Sequence, residues 1–508
     1  MALKQNIVAS YLSQIYVTLS GIFFLPLYLK YMGGEAYGLV GFFTMLQALF
    51  TLLDVGLTPT MARETARFRG GAVSAQNYRL FFRALESIFL LIAVGGGVLL
   101  WSAADLIADR WLNRLDLSLE VVSASIELMA GAIACRWLSG FYRGSISGSE
   151  RIVWLSGYNA FVATLRFVGV IAVLSKISSS PIAFFSYQLA IGFLELSGLA
   201  FYAYRLLPPI PAGLKLPLLS LSPLKGSIKF SLTVAFTSTV WILMTQLDKL
   251  VLSKVLGLSE YGQFTLGVLL ASAVTVVTGP VSSALMPRMA RLEAKGDHEG
   301  VIDIYRKCTQ LVAVIAGAVA ITLAVFAEEL LWLWTHDKAI AVSAAPIMRL
   351  YALGNAVLAV AAFPYYLQYA RGDLRLHLYG NALLLVLLVP SIVWAAANFG
   401  GVGAGYAWLA TNVMYLLFWV PVVHQRLQPG LHMKWIFIDI GLVCLFTTLC
   451  GYCISLLHVS LDQNRGWIVA YIFAAGIAVL MVGVASSIYF WRTVKEVLRT
   501  GGLRRKGV

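Results

Sequence analysis

The sequence predicts an all-α polytopic membrane protein with fourteen transmembrane helices, built as two six-helix lobes related by an internal repeat plus a C-terminal helix pair. Three observations carry this. Of 508 residues, 59% are hydrophobic and only 12% are charged, about half the ~25% charge of a soluble domain. A water-soluble core of this size would need a charged shell that the chain lacks, which excludes an ordinary cytosolic enzyme, a disordered chain and a coiled coil. Apolar runs near the ~20 residues needed to cross a bilayer recur along the whole length. Segments of the first half also return in the second at a nearly constant offset.

In chain order, the spans fall at 7–29, 36–58, 84–104, 119–141, 152–175, 182–204 and 228–248, then at 262–284, 309–330, 341–366, 378–398, 402–423, 435–457 and 467–490. The first follows Lys4 and is too long, with no small-residue cleavage site, to be a removed signal, so it reads as a retained span. Basic residues mark the cytoplasmic loops. With the N-terminus inside, 27 of the 38 Lys and Arg lie in inner segments, 8 in outer segments and three (Arg136, Arg166, Arg349) within spans. Both termini are therefore predicted to be cytoplasmic, and the +14 charge calls for no nucleic acid partner. The longest outer segment, about 105–118, is too short for a catalytic domain. Between spans six and seven, Leu206–Gly226 holds five of the 15 prolines, which reads as a non-helical cytoplasmic connector. The domain reading is 1–207 for the N-lobe, 208–223 for the linker, 224–430 for the C-lobe, and 431–508 for spans thirteen and fourteen with a basic tail.

The repeat rests on ordered matches. Lys30, Gly33 and Tyr37-Gly38 match Lys254, Gly257 and Tyr261-Gly262 at an offset of 224. Pro59-Thr-Met61-Ala62-Arg63 matches Pro287-Arg-Met289-Ala290-Arg291 at 228, and Tyr142, Gly148 and Arg151 match Tyr366, Gly372 and Arg375 at 224. An even number of spans per copy inserts both copies the same way up, around an axis along the membrane normal.

Such paired lobes suit alternating access around a polar site near mid-membrane. Span one carries Asn6, Ser10, Ser13, Gln14, Thr18 and Gly21 on one side, and span seven carries Ser227, Ser231, Ser238 and Thr245. Asn6, Gln14, Ser231 and Ser238 are read as cavity-lining, against the alternative that hydroxyls merely bond neighbouring helices. Ionisable groups inside spans are the sharper signal, because lipid disfavours them strongly. Arg166 and Arg349 are candidates for an anionic head group, and Glu127 and Glu195 for the same cavity; a structural ion pair is the competing reading. Asp248, Glu127 and Glu195 are the candidates for ion coupling. Asp54, Arg136 and Asp439 lie near span ends and read as snorkelling or interfacial. Gly140, Gly144 and Gly148 read as a close-packing row. Cys450-Gly-Tyr-Cys453 has redox spacing but sits in an apolar span, so packing is the reading. The six scattered histidines offer no metal cluster. No GxxxxGKS or GxxxxGKT occurs, and no nucleophile–base arrangement can be nominated, so neither ATP use, an enzyme nor a cofactor is expected.

The Gly33…Tyr37-Gly38 turn, the Pro59…Arg63 segment, the Gly148…Arg151 loop and their second copies resemble the multidrug/oligosaccharidyl-lipid/polysaccharide exporter superfamily. The opening, Asn6 through Arg63, looks most like its polysaccharide-transporter branch, which includes lipid-linked O-antigen flippases. Fourteen spans suit that branch and the lipid II flippases, whereas the drug/cation antiporters usually have twelve. The arginine cluster that a lipid II flippase should carry in span one is missing. The resemblance implies a flippase of the bacterial inner membrane that carries an undecaprenyl-pyrophosphate oligosaccharide outward for lipopolysaccharide or another surface polysaccharide. Its partners would be that lipid-linked oligosaccharide, the bilayer and other polysaccharide-assembly membrane proteins. The alternatives are a drug/cation antiporter of the same superfamily and a membrane-embedded polymerase or ligase.

Overall fold

The computed structural model describes residues 2–54, 56–209, 228–457 and 464–491. Residues 210–227 and 492–508, which hold most of the expected linker and basic tail, lie outside the described residues. Regular structure among the described residues is helical, and twelve segments are long and apolar enough to cross a bilayer. Large apolar side chains such as Leu99, Phe418 and Phe473 stand exposed on them, as a lipid solvent permits and water does not. The chain divides into two compact units, Met1–Gly262 and Gln263–Val508.

The first unit runs α1 (Ala2–Met32), α2 (Gly34–Phe50), α3 (Leu57–Arg69), α4 (Ala75–Ser102), α5 (Ala104–Arg110), α6 (Leu119–Gly148) and α7 (Ile152–Thr164). A π-helical turn, Leu165–Gly169, then leads into α8 (Val170–Lys176), followed by α9 (Pro181–Leu206) and α10 (Ile228–Val255). Local chemistry sets these boundaries. Gly33 separates α1 from α2 at φ 86°, a conformation open to glycine and strained for other residues. The Asp54 carboxylate accepts from the Thr58 amide at 3.1 Å and the Thr58 hydroxyl at 2.6 Å, fastening the start of α3. Ser118 and Ser180 cap α6 and α9 through their hydroxyl oxygens, satisfying amides that a helix start leaves open.

Small residues let the helices close. Gly140, Gly144 and Gly148 present one face of α6 to Thr58 and Ala62 of α3, and a Cβ at Gly148 would run into the Ala62 carbonyl. The two copies of the repeated Tyr-Gly motif meet within this unit. A Cβ on Gly38 would overlap the Leu258 carbonyl, and one on Gly262 would lie 3.1 Å from the Gly34 oxygen. Each glycine of the repeated motif thus makes room for the other copy's backbone. The segment between α5 and α6 closes over the same end. Glu35 accepts from the amides of Leu115, Asp116 and Leu117 at 2.6, 2.7 and 3.0 Å. The Asn113 carbonyl receives the Leu258 amide at 3.0 Å, and Lys254 sits 4.9 Å from the centre of the Trp111 ring. Helix α10, expected to open the second lobe, packs here on α2 and α3.

The second unit begins inside α11 (Leu258–Ala271), at Gln263, and continues through α12 (Ala273–Ala294), α13 (His298–Val325), α14 (Ala327–Thr335), α15 (Lys338–Ala361) and α16 (Phe363–Arg371). Next come α17 (Arg375–Met414), a π turn and α18 (Val420–Leu427). The segment Arg375–Leu427 spans 53 residues but breaks at Gly400 (φ 59°, ψ −144°). Then α19 (Leu431–Lys434) passes through a π turn, Trp435–Gly441, into α20 (Leu442–Ser455), and α21 (Arg465–Ala485) ends the described helices of regular length. This last pair is clamped to α13. Arg306 holds Asp439 through two bonds of 2.6 and 2.8 Å, the Gln310 Oε1 accepts from Ser487 Oγ at 2.6 Å, and Trp435 Nε1 donates to Thr309.

Candidate functional site

A cavity of about 720 Å³ opens inside the first unit. Two helix faces form most of its wall. Thr44, Gln47, Ala48 and Thr51 recur on α2 and its terminal turn at the spacing of one helical side, and Ile133, Arg136, Trp137, Gly140 and Arg143 do so on α6. Asp54, Thr58 and Pro59 close one end, and Ile242 of α10 adds an apolar contact. The volume lies in the ~300–1,000 Å³ range of small-ligand sites.

The charges in this wall are unevenly paired. Arg143 donates through Nη1 to Asn159 Oδ1 at 2.7 Å and through Nη2 to Glu195. The second oxygen of Glu195 accepts from Arg166 Nη2 at 2.6 Å. Glu195 is 2% exposed and Arg166 8%. The π turn Leu165–Gly169 carries Arg166 to this carboxylate, and such turns are frequent at functional sites. Arg136 presents its guanidinium to the cavity, and among the described residues no hydrogen bond or ion pair holds it. Two guanidiniums therefore share one carboxylate, and a third, exposed, lines the cavity. That set favours an anion, since a phosphate or carboxylate ligand can take charge-assisted bonds from guanidiniums on one wall.

The sequence candidates fall in different places. Arg166 and Glu195 meet, but as a buried pair behind the wall. Arg349 is exposed on α15 and donates to the Ala324 carbonyl at 3.1 Å. Glu127 lies half-buried about two turns into α6 and does not line the cavity. Asp248 is buried near the end of α10, where it accepts from the Lys249 amide at 2.8 Å. Gln14 is exposed, and Asn6 reaches the Glu150 carbonyl at 3.5 Å. Ser13 of the span-one stripe is spent on a helix contact, donating to the Ser156 carbonyl at 2.9 Å, and Tyr16, outside the stripe, bonds Thr164 at 2.7 Å. The side chains of Ser231 and Ser238 lie outside the described residues.

Arg136, Arg143, Gln47 and Asp54 are the residues that sequence reasoning did not nominate. Their signal was present: Arg136, Gly140 and Arg143 share one side of α6. Ending the span at residue 141 hid it, because the helix continues to Gly148 and carries both arginines.

Residues 3–293 match the family described as polysaccharide biosynthesis protein, and residues 234–394 match MatE. A curated relative, the uncharacterized membrane protein EpsK of Bacillus subtilis, is 24% identical over 346 residues. That match covers 67% of this chain, which spans 66% of the relative's length. Among solved structures, the lipid II flippase MurJ in an inward closed conformation superposes with a TM-score of 0.73 at 14% identity, covering 96% of this chain and 99% of that one. An inward-facing multidrug resistance MATE family transporter of the MOP superfamily gives 0.64 at 14% identity, covering 80% and 94%. At these identities the likeness is one of fold.

Proposed function

Since the chain belongs to the polysaccharide biosynthesis protein family, within the multidrug/oligosaccharidyl-lipid/polysaccharide exporter superfamily, we propose that this membrane transporter is a flippase for a lipid-linked oligosaccharide. The cargo is an undecaprenyl-pyrophosphate glycan moved from the cytoplasmic to the outer leaflet by alternating access, for a surface polysaccharide such as O-antigen. The observation that carries this reading is the cavity lined by Arg136, which no hydrogen bond or ion pair holds among the described residues, with Arg143 on the same helix face. A pyrophosphate brought into hydrocarbon loses its water, and guanidiniums replace that water with charge-assisted bonds. With the inside negative, moving two negative charges outward gains up to ~4.6 kcal/mol per 100 mV if they cross the whole field.

The proposal includes fourteen crossings in the bacterial inner membrane with both termini cytoplasmic. Arg375–Leu427 would cross twice by turning at Gly400, and α10 once. Asp54 favours a second reading, a drug/cation antiporter, since a cation would need a carboxylate. Two guanidiniums on the same wall weigh against it. Deleting the gene tests the proposal. Lipid-linked oligosaccharide should accumulate on the cytoplasmic leaflet; unchanged outward delivery in the deletion strain would refute the assignment.

A further inference from the structure

We infer that Glu195 is a positioning residue that competes with the cargo for Arg143, and that Arg166 sets the strength of that competition. The inference rests on the flippase reading of the cavity. Arg143 belongs to two environments at once: it lines the cavity, and it is held from behind by Asn159 and Glu195. Glu195 is saturated on both oxygens, one by Arg143 and one by Arg166. Arg166 does not line the cavity.

This arrangement divides one negative charge between two cations. A carboxylate so divided holds each cation less firmly than one it holds alone. An anionic head group can then draw Arg143 forward, and Glu195 is not orphaned, because Arg166 stays on it. Without Arg166, that exchange would leave an uncompensated buried carboxylate. When the head group departs, Glu195 takes Arg143 back. The cavity thus holds an anion through Arg136 and lets it go through Glu195. A site that bound the anion as tightly as its charges allow would release it slowly.

The test uses the full chain in detergent with geranyl pyrophosphate as the probe, reading Kd beside thermal stability. E195Q removes the competitor, so binding should tighten roughly tenfold, the scale of one hydrogen bond to a charged group. Flipping in vesicles should slow in the same variant. R166Q hands the whole carboxylate to Arg143, so binding should weaken by roughly the same factor, although residue 166 is outside the cavity; R166K should restore it. In an R143Q background, the 166 substitution should no longer matter. Should E195Q fail to fold, the R166Q, R166K and R143Q comparison alone decides. A Kd unmoved by E195Q and R166Q, or an effect of R166Q that persists in R143Q, overturns the inference while leaving the flippase reading intact. A wild-type chain that ignores the probe, or an R136Q chain that binds it undiminished, instead overturns the flippase reading.

Discussion

Two buried ion clusters, one in each unit, show what separates a staple from a site. In the second unit, Arg306 holds Asp439 through two parallel bonds, with the Tyr489 ring 5.8 Å away from the guanidinium. The cavity of about 280 Å³ in that unit is lined by Ala313, Ala316, Gly317, Ala320 and other mostly apolar side chains, so it offers nothing to a charge. In the first unit, Arg143 and Arg166 share Glu195, and Arg136, held by no hydrogen bond or ion pair among the described residues, lines a polar cavity. Both clusters use a π turn to deliver one partner, Asp439 from Trp435–Gly441 and Arg166 from Leu165–Gly169. An intramembrane charge is therefore no sign of function by itself. The surplus of one sign, facing open space, is the sign.

Substitutions in the two clusters should fail in different ways. D439A should cost ~3–5 kcal/mol, since it strands the Arg306 guanidinium; folded yield and thermal unfolding in detergent read it out, and α20 with α21 should become protease-sensitive first. If D439A folds as well as wild type, the staple is misassigned. Next in size is G38A, which pushes the two repeated motifs apart where Gly38 meets the Leu258 carbonyl. A loss of ~1–3 kcal/mol is expected from overpacking, and an unchanged unfolding temperature would contradict the contact. R136Q should shift stability by no more than ~0.5 kcal/mol, as an exposed side chain with no hydrogen bond or ion pair among the described residues allows. Its effect belongs in transport, where losing a charge-assisted bond should lower flipping by roughly tenfold or more. The smallest effect is expected from A316V, which fills part of the apolar cavity and should stabilise by ~0.5–1 kcal/mol without altering transport. A loss of transport in A316V would show that the apolar cavity carries more than packing.

Much of the fold was legible because bilayer chemistry writes it in composition and period. Long apolar runs and the Gly33…Tyr37-Gly38 and Gly257…Tyr261-Gly262 matches needed no partner to be read. The site was less legible, because pairing in a bundle joins residues distant in sequence. Arg143 and Arg166 reach Glu195 across 52 and 29 positions, and Arg306 reaches Asp439 across 133. No periodicity tells which guanidinium finds which carboxylate. Arg166 looked available and is spoken for; Arg136 looked interfacial and faces the cavity. Ser13 looked like a lining and bonds the Ser156 carbonyl of α7 instead.

The central claim is that the spare guanidinium of α6 receives the phosphates of a lipid-linked glycan. Proteoliposomes carrying the full chain or R136Q, loaded with undecaprenyl-pyrophosphate oligosaccharide in one leaflet, test it most directly through the rate at which the sugar appears on the other side. Wild-type exchange and a severely slowed R136Q of undiminished thermal stability are expected. Equal rates for the two proteins would contradict it.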